Sequence, residues 1–338
     1  MKIARPDSRV LVTGGAGFIG SHLVDTLVAS GCRTTVLDNF RNGKRENLEA
    51  AQRTGLLTVV EGDITDAATC EQVVGAGFDA IYHLACLGVR HSLHDPLGNH
   101  EVNAAGTLHL LQAALRAGTG RFVYMSTSEV YGAALTFPLT EREATWPTTV
   151  YGASKLAGEH YAAAFHRVHG LPVIRVRPFN NYGPRAHFEG DSGEVIPRFI
   201  LRALAGEPPV IFGDGSHTRD FLHVKDCARG LVAIAECDAL VGDLVNLGYG
   251  EETTVADLAR LVLKAVGRSD LQALHAPERP GDVPRLKVDS SKLRGATSFV
   301  PTTSLESGLA STVDFYRSLY EAQPECLAQM QVRNWEVA

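Results

Sequence analysis

The sequence predicts an α/β protein in which a doubly wound parallel sheet carries a smaller α/β lobe. Three observations predict it. Short apolar runs alternate with helix-length segments through the first half of the chain, the βαβ order of a parallel sheet covered on both faces. The run Val10-Leu11-Val12 leads directly into Thr13-Gly14-Gly15-Ala16-Gly17-Phe18-Ile19-Gly20, a strand, a glycine-rich turn and a helix start. After about Pro178 the rhythm changes, glycine, proline and charge rise, and the later chain reads as a second lobe.

Strands are expected over Arg9–Thr13, 34–38, Leu57–Glu61, 80–84, 121–126 and 172–176. Helices are expected between them over 21–30, 67–75, 101–117 and 151–169. The runs Ala80-Ile81-Tyr82-His83-Leu84 and Arg121-Phe122-Val123-Tyr124-Met125 are apolar rather than alternating, as strands covered on both faces should be. Further on come a helix over 195–205, a short strand Val210–Phe212, a turn over 213–216 and a helix over 225–236. Amphipathic helices are expected over 251–267 and 304–320. Residues 1–179 and about 213–244 are assigned to the sheet domain. Residues 180–212 and about 245–322 are assigned to the smaller lobe, and 323–338 to a tail without usable pattern.

Composition narrows the function. The chain has 338 residues, enough for a large core, with 45% hydrophobic and 21% charged residues. Its formal net charge of −6 argues against a nucleic-acid or anionic-membrane partner. No apolar stretch has the length of a membrane span, and residues 1–7 lack the apolar centre of a signal peptide. The six cysteines form no CxxC pair, which predicts reduced thiols and a cytoplasmic location. His91 and His94 have neither cysteines nor an HExxH frame beside them, so no metal is expected.

The glycine-rich turn aims backbone N–H groups and a helix N-terminus at a pyrophosphate. Gly14 suits the tight turn, Gly17 the approach of phosphates, and Gly20 the close packing of helix on sheet. The second strand ends in Asp38, close to the spacing of an acid that binds a ribose 2′-hydroxyl, so NAD is expected over NADP. Arg41 nearby keeps NADP open. Tyr151 and Lys155 lie four apart on one helix face, where an ammonium is expected to lower the phenol pKa. A tyrosinate beside a nicotinamide can take a hydroxyl proton while hydride leaves the same carbon. Ser126, Thr127, Ser128 and Glu129 follow the fifth strand and reach the same place in such a sheet. Together these features give a Rossmann-like redox domain with a substrate-binding lobe.

The motifs TGGAGFIG (13–20), LDNF (37–40), EGDI (61–64), HLAC (83–86), EVNAAGT (101–107), MSTSEVYG (125–132), YGASK (151–155), RPFNNYGPR (177–185), GDGSHTRDFLHV (213–224) and RPGD (279–282) run in order. In this the chain resembles extended short-chain dehydrogenases/reductases, and within them nucleotide-sugar epimerases, dehydratases and decarboxylases. The resemblance covers about residues 8–320. It implies tightly held NAD, oxidation of a nucleotide sugar at C4, return of the hydride in most members, and homodimers through the helices around 106–117 and 151–169. Carried across, it implies Asp63 and Ile64 flanking the adenine, and Leu84, Ala85 and Cys86 along the cofactor path. The family often has alanine where Cys86 stands, and packing is the expected role of that thiol. It further implies that Asn103, Lys155 and Pro178 hold the nicotinamide half, with Phe18, Ile19, Asn39 and Ser126 in the cofactor site. Asn180, Arg219 and Arg279 would grip the diphosphate and sugar, Val195 would join the substrate site, and Phe212 would lie near the nucleobase.

The reaction turns on Glu129. Epimerases usually carry a small or neutral residue there, and dehydratases an Asp-Glu pair. Thr127-Ser128-Glu129 with Arg219 resembles UDP-glucuronate decarboxylases, and also one branch of GDP-mannose dehydratases. The loop over 87–96 resembles the epimerases instead. UDP-glucuronate decarboxylation, giving UDP-4-keto-pentose or UDP-xylose, is the first expectation. A 4,6-dehydratase and a 4-epimerase are the alternatives. A silent NAD-binding regulator and an alcohol dehydrogenase with dissociable NAD are readings from other classes. The intact Tyr151, Lys155 and Thr127 set argues against the regulator, and the extra lobe and Arg219 against the alcohol dehydrogenase.

Overall fold

The computed structural model describes residues 1–134, 136–278 and 283–331. Seven parallel strands form the large sheet. They are β1 (Arg9–Thr13), β2 (Arg33–Asp38), β3 (Leu57–Glu61), β4 (Ala80–His83), β5 (Phe122–Met125), β6 (Val173–Pro178) and β7 (Leu244–Leu247). The order across the sheet is β7-β6-β5-β4-β1-β2-β3. The chain therefore reverses direction between β1 and β4, the place where such sheets bind ligands beyond their carboxyl ends.

The apolar strands feed two cores. Val10 and Val12 of β1 face helices α1 (Phe18–Ala29) and α6 (Val224–Glu236), packing with Leu23, Leu27, Leu231 and Ile234. Leu11 between them faces the opposite way, with Val74 of α2 (Ala67–Val74), Leu110 and Leu111 of α3 (Gly106–Arg116) and Ala162 of α4 (Val150–His169). Burial on both faces is why these strands do not alternate with polar residues.

The smaller lobe has its own core. Helices α5 (Val195–Leu204), α7 (Val255–Val266) and α8 (Leu305–Ala322) meet through Phe199, Ile200, Val262, Leu309 and Tyr316. The strand Val210–Phe212 pairs in parallel with Leu274–Ala276. Two two-strand pairs carry the chain between the lobes: Asn180–Tyr182 with Phe221–His223, and Thr218–Arg219 with Thr253–Thr254.

Four differences from the expected elements bear on the site. The strand Leu244–Leu247 completes the large sheet, so the sheet runs three residues past the expected division near 244. Its Asn246 is buried, accepting from the Tyr131 hydroxyl at 2.7 Å and donating to the Leu139 carbonyl at 3.1 Å. Helix α1 begins at Phe18, three residues before the expected start, because Gly17 itself takes the extended N-cap conformation. The expected helix over 101–117 opens with a π-helical stretch, Glu101–Ala105, that holds Asn103. The tail makes a 3₁₀ turn over Pro324–Gln329 with Cys326 fully buried.

No helix among the described residues is long and apolar enough to cross a membrane. No group of three or more His, Cys, Asp or Glu among them could hold a metal ion. All six cysteines are free.

Candidate active site

Residues that the sequence singled out lie at or just after the ends of β1–β6 (Gly14, Asp38, Asp63, Leu84, Ser126 and Pro178), and they line a cleft of about 620 Å³ between the lobes. The glycine-rich turn forms one end. Gly14 has a φ of +70°, and a Cβ on it would lie 2.6 Å from the backbone nitrogen of Ala85. A Cβ on Gly20 would stand 2.1 Å from the carbonyl oxygen of Gly14, so the helix can close on the turn only without a side chain. Helix α1 has no side-chain cap and no acid in its first turn. Its first N–H groups thus lack a side-chain acceptor, as a helix start that binds an anion would. Asp38 ends β2 and is buried. Its carboxylate accepts the N–H groups of Ala16 and Phe40, each at 2.9 Å, and burial pushes its pKa up. Asn39 donates to Asp63 at 2.7 Å, and both line the cleft with Ile64. This cradle fits a dinucleotide: a pyrophosphate at the turn, a ribose at Asp38 and an adenine toward Asp63.

Arg41 also lines the cleft and is held by His91. Its guanidinium donates to the His91 ring at 2.8 Å, and burial together with that charge lowers the His91 pKa.

The second end of the cleft holds the Tyr-Lys pair. Thr127, Ser128, Glu129 and Tyr151 line it, with Leu84, Ala85, Cys86 and Pro178 along the path from the turn. Lys155 lies behind this wall, 1% exposed, with its ammonium 4.6 Å from the centre of the Tyr124 ring. The expectation that Lys155 lowers the phenol pKa is corrected here. Burial pushes the Tyr151 phenol up, and the Cys86 thiol and the Glu129 and Glu194 carboxylates push the same way; a hydrogen bond with Thr127 pulls it down. Burial likewise lowers the pKa of Lys155, while Cys86 and Glu159 raise it.

Asn103 lies behind the wall as well, and it reaches the site through the backbone. Its side chain accepts from the N–H of Leu87 and donates to the carbonyl of Leu87, both at 2.9 Å, fixing the loop that follows β4. Ser126 donates to Glu159, which takes both arms of the buried Arg177 at 2.8 and 2.7 Å. That network sets the end of β5, where Thr127–Glu129 begin.

Toward the smaller lobe the cleft is lined by Asn180, Val195, Phe212 and Arg219. The Asn180 side-chain oxygen is buried with no hydrogen-bond partner among the described residues, as a ligand-facing acceptor would be. Arg219 donates to the carbonyl of Thr218 at 2.8 Å. Arg279 lies outside the described residues.

Apart from His94, weighed only as a metal ligand, the sequence did not single out the groups that join the loop after β4 and the segment near Lys44 to residues 189–194. Arg90 donates to the Ser192 carbonyl at 3.0 Å and to Glu194 at 3.1 Å, Lys44 pairs with Glu189, and His94 pairs with Asp191 at 2.8 Å. The rise of glycine and charge over 180–191 marked this strap as irregular, and only the fold brings Arg90 and Lys44 to it. Met330 and Leu327 of the tail also line the cleft.

A dinucleotide cradle, a Tyr-Lys pair and an anion-ready lobe agree with what comparison finds. The model of the NAD dependent epimerase/dehydratase family matches residues 10–248. This chain belongs to that family. It is an NAD-dependent enzyme of the extended short-chain dehydrogenase/reductase group that acts on nucleotide sugars. Relatives within the family carry three reaction names. UDP-glucose 4-epimerase of Mycolicibacterium smegmatis is 37% identical over 312 residues, 92% of this chain and 99% of the relative. dTDP-glucose 4,6-dehydratase of Streptomyces niveus is 37% identical over 317 residues, 91% of this chain and 93% of the relative. UDP-glucuronic acid decarboxylase 1 of Arabidopsis thaliana is 36% identical over 324 residues, 94% of this chain and 71% of the relative. Among solved structures, UDP-N-acetylglucosamine 4-epimerase from Methanobrevibacter ruminantium has a TM-score of 0.88 at 35% identity, covering 93% of this chain and 99% of that one. UDP-glucuronic acid 4-epimerase from Bacillus cereus, solved with UDP-glucuronic acid and NAD, has a TM-score of 0.86 at 31% identity, covering 92% and 100%.

Proposed function

We propose that this family member binds UDP-glucuronate and removes its carboxyl group as carbon dioxide. The observation that carries the reading is Glu129, which lines the cleft close enough to Tyr151 to raise the phenol pKa, directly after Thr127 and Ser128. The decarboxylase among the relatives supports it.

NAD, when bound, supplies the acceptor for the hydride on C4 of the sugar. Tyr151 as its phenolate takes the proton of the C4 hydroxyl; the hydrogen bond with Thr127 and the buried ammonium of Lys155, one helical turn along, work against the burial that disfavours that charge. The product is a β-keto acid. Its C5–carboxylate bond breaks, carbon dioxide leaves, the electron pair passes into a C4–C5 enolate, and C5 then takes up the proton that Tyr151 received, giving the 4-keto-pentose. Thr127 and Tyr151 stabilise that oxygen by hydrogen bonding. Ser128 and Arg219 hold the carboxylate beforehand. Glu129 repels it, which favours its departure as a neutral molecule.

On this reading the lobes divide the work. Residues 1–179 and about 213–244, with the rest of β7, hold NAD; residues 180–212 and about 245–322 hold the nucleotide sugar. Asn180 and Phe212 face the nucleotide, and Arg219 the sugar carboxylate. Leu108 on α3 and Val150 at the start of α4 are exposed apolar side chains, which supports a homodimer through these helices. Light scattering of the purified protein tests that assembly.

A 4-epimerase is the second reading, favoured by the loop over 87–96. Incubation with a panel of nucleotide sugars, followed by mass spectrometry, separates the reactions. Loss of carbon dioxide supports the first reading, no mass change the second, and loss of water a dehydratase.

A further inference from the structure

The strap over 184–194 is tied to the NAD-binding domain at α1, at the loop after β2 and at the segment after β4. At its start the Pro184 carbonyl meets the His22 ring at 2.9 Å and Arg185 donates to Asp25 at 2.8 Å, and both of these partners lie on α1. Glu189 then pairs with Lys44 in the loop after β2. Asp191 pairs with His94 at 2.8 Å. Arg90 donates to the carbonyls of Asp191 and Ser192, the latter at 3.0 Å, and to the Glu194 carboxylate at 3.1 Å. Arg90 and His94 both belong to the segment after β4. Phe188 holds the strap to the smaller lobe, buried in its core beside Tyr316.

The order of strands says what lies beneath. In the sheet, β1 stands between β4 and β2. A strap fastened to the loop after β2 and to the segment after β4 therefore spans the end of β1, where the glycine-rich turn sits. The fastening on the β2 side is fixed at its base, because the Lys44 N–H donates to the Ala16 carbonyl of that turn at 3.0 Å. His187, Asp191 and Ser192 of the strap line the same cleft as Gly17, Phe18 and Asp38. Lys44, Arg90 and His94 lie outside the glycine-rich turn, Asp38 and the Tyr-Lys pair, so the fasteners are separate from the cradle they cover.

We propose that Lys44, Arg90 and His94 are positioning residues that fasten this strap across the pyrophosphate half of the NAD site, so that the cofactor leaves only when the strap lifts. The inference uses the cradle and its cofactor, and it stands whichever sugar reaction the enzyme performs. Arg90 is the strongest fastener. Its side chain is largely buried, and its planar guanidinium meets the strap backbone at Asp191 and Ser192 as well as the Glu194 carboxylate, so it sets the path of the strap. Lys44 with Glu189 and His94 with Asp191 are partly exposed pairs, each of modest strength alone. They hold one short segment at separate points and must open together for it to lift. Their effect is therefore felt in the rate at which the cofactor is released more than in the rate at which it binds.

The test is the rate at which the NAD-loaded full chain exchanges its cofactor for isotopically labelled NAD, followed by mass spectrometry of the nucleotide retained on the protein. The wild type is compared with Lys44→Met/His94→Gln, Arg90→Met, Lys44→Glu and Lys44→Glu/Glu189→Lys, and thermal melting reports that each chain is folded. Release is expected to quicken on the order of 10-fold or more in Lys44→Met/His94→Gln and in Arg90→Met, as the loss of modest contacts on one segment predicts. Lys44→Glu sets two carboxylates face to face and also speeds release. The charge-swapped Lys44→Glu/Glu189→Lys chain is expected to return to within about threefold of the wild type, the coupling of two residues in direct contact. That rescue separates fastening from a general loss of packing, which a second substitution would deepen. Exchange at the wild-type rate in folded Lys44→Met/His94→Gln and Arg90→Met chains overturns the proposal. So does a charge-swapped chain that releases NAD as fast as Lys44→Glu. Neither result touches the decarboxylase reading, because no sugar substrate takes part in the measurement.

Discussion

Asp38 accepts the backbone N–H of Ala16 at 2.9 Å, which ties the end of the second strand to the glycine-rich turn after the first. One carboxylate thus shapes the turn and offers its remaining lone pairs to a ribose. Asp38→Ser removes both functions. NAD affinity is expected to fall on the order of 10-fold or more, as for a lost charge-assisted hydrogen bond. NADP affinity falls less, because the repulsion of a 2′-phosphate goes with the carboxylate. Titration of each cofactor by fluorescence gives the ratio; an unchanged ratio contradicts the assignment.

Gly20 and Gly17 differ in what a methyl group would meet. At Gly20 a Cβ would stand 2.1 Å from the Gly14 carbonyl oxygen, and at Gly17 3.3 Å from the same atom. Gly20→Ala is expected to cost about 2 kcal/mol or more, the range of an overpacked site that must shift backbone. Gly17→Ala is expected to cost less in stability. Denaturant titration of the two variants checks the order.

Tyr151→Phe is expected to leave the melting temperature near that of the wild type and to lower turnover on the order of 10²-fold or more, the usual effect of removing a positioned acid/base. The phenol's position beside Thr127 carries this prediction. Near-normal turnover would remove Tyr151 from the proton transfer.

The order of elements and the cofactor half of the site were legible in the sequence because they depend on local signals. Gly14, Gly17 and Gly20 follow a strand, and Asp38 ends the next one; backbone geometry fixes both. Lys155 and Asn103 were legible as residues, but their routes to the site were not. Lys155 lies behind the wall over the Tyr124 ring, and Asn103 works through the backbone of Leu87 from within a π-helical stretch. The phenol pKa of Tyr151 was misjudged because spacing reports a neighbouring charge and not the depth of burial. Leu244–Leu247 was missed as a strand because four residues with a central asparagine give no periodic signal; the partners of Asn246 come from residues 131 and 139. The strap contacts of Arg90 and Lys44, and the tail at Leu327 and Met330, arise from chain reversals that no local pattern encodes.

Acid is expected to loosen the contact between α1 and the segment after β6. His22 is 7% exposed, and its ring meets the Pro184 carbonyl at 2.9 Å. Burial, opposed by that hydrogen bond and reinforced by Arg185, lowers its pKa to about 4 from 6.5. Between these values the unfolded chain binds the extra proton and the folded chain does not, so stability falls as pH drops through that window and the cost is absent above pH 6.5. The loss from this group between pH 7 and pH 5 is about 2 kcal/mol. His22→Gln keeps a donor for Pro184 and is expected to remove most of that pH dependence. Parallel melting curves at the two pH values would contradict this if the variant and wild type lost stability equally.

The central claim is that oxidation at C4 prepares UDP-glucuronate for loss of its carboxyl group in the cleft shared by Tyr151, Glu129 and Arg219. The most direct measurement is the mass spectrum of the product formed from UDP-glucuronate deuterated at C4. The account predicts a product lighter by carbon dioxide, with the deuterium either returned to the pentose or retained on the cofactor. An isobaric UDP-hexuronate that keeps its carboxyl group would contradict it, and would make the loop over 87–96 a better guide to the reaction than Thr127-Ser128-Glu129.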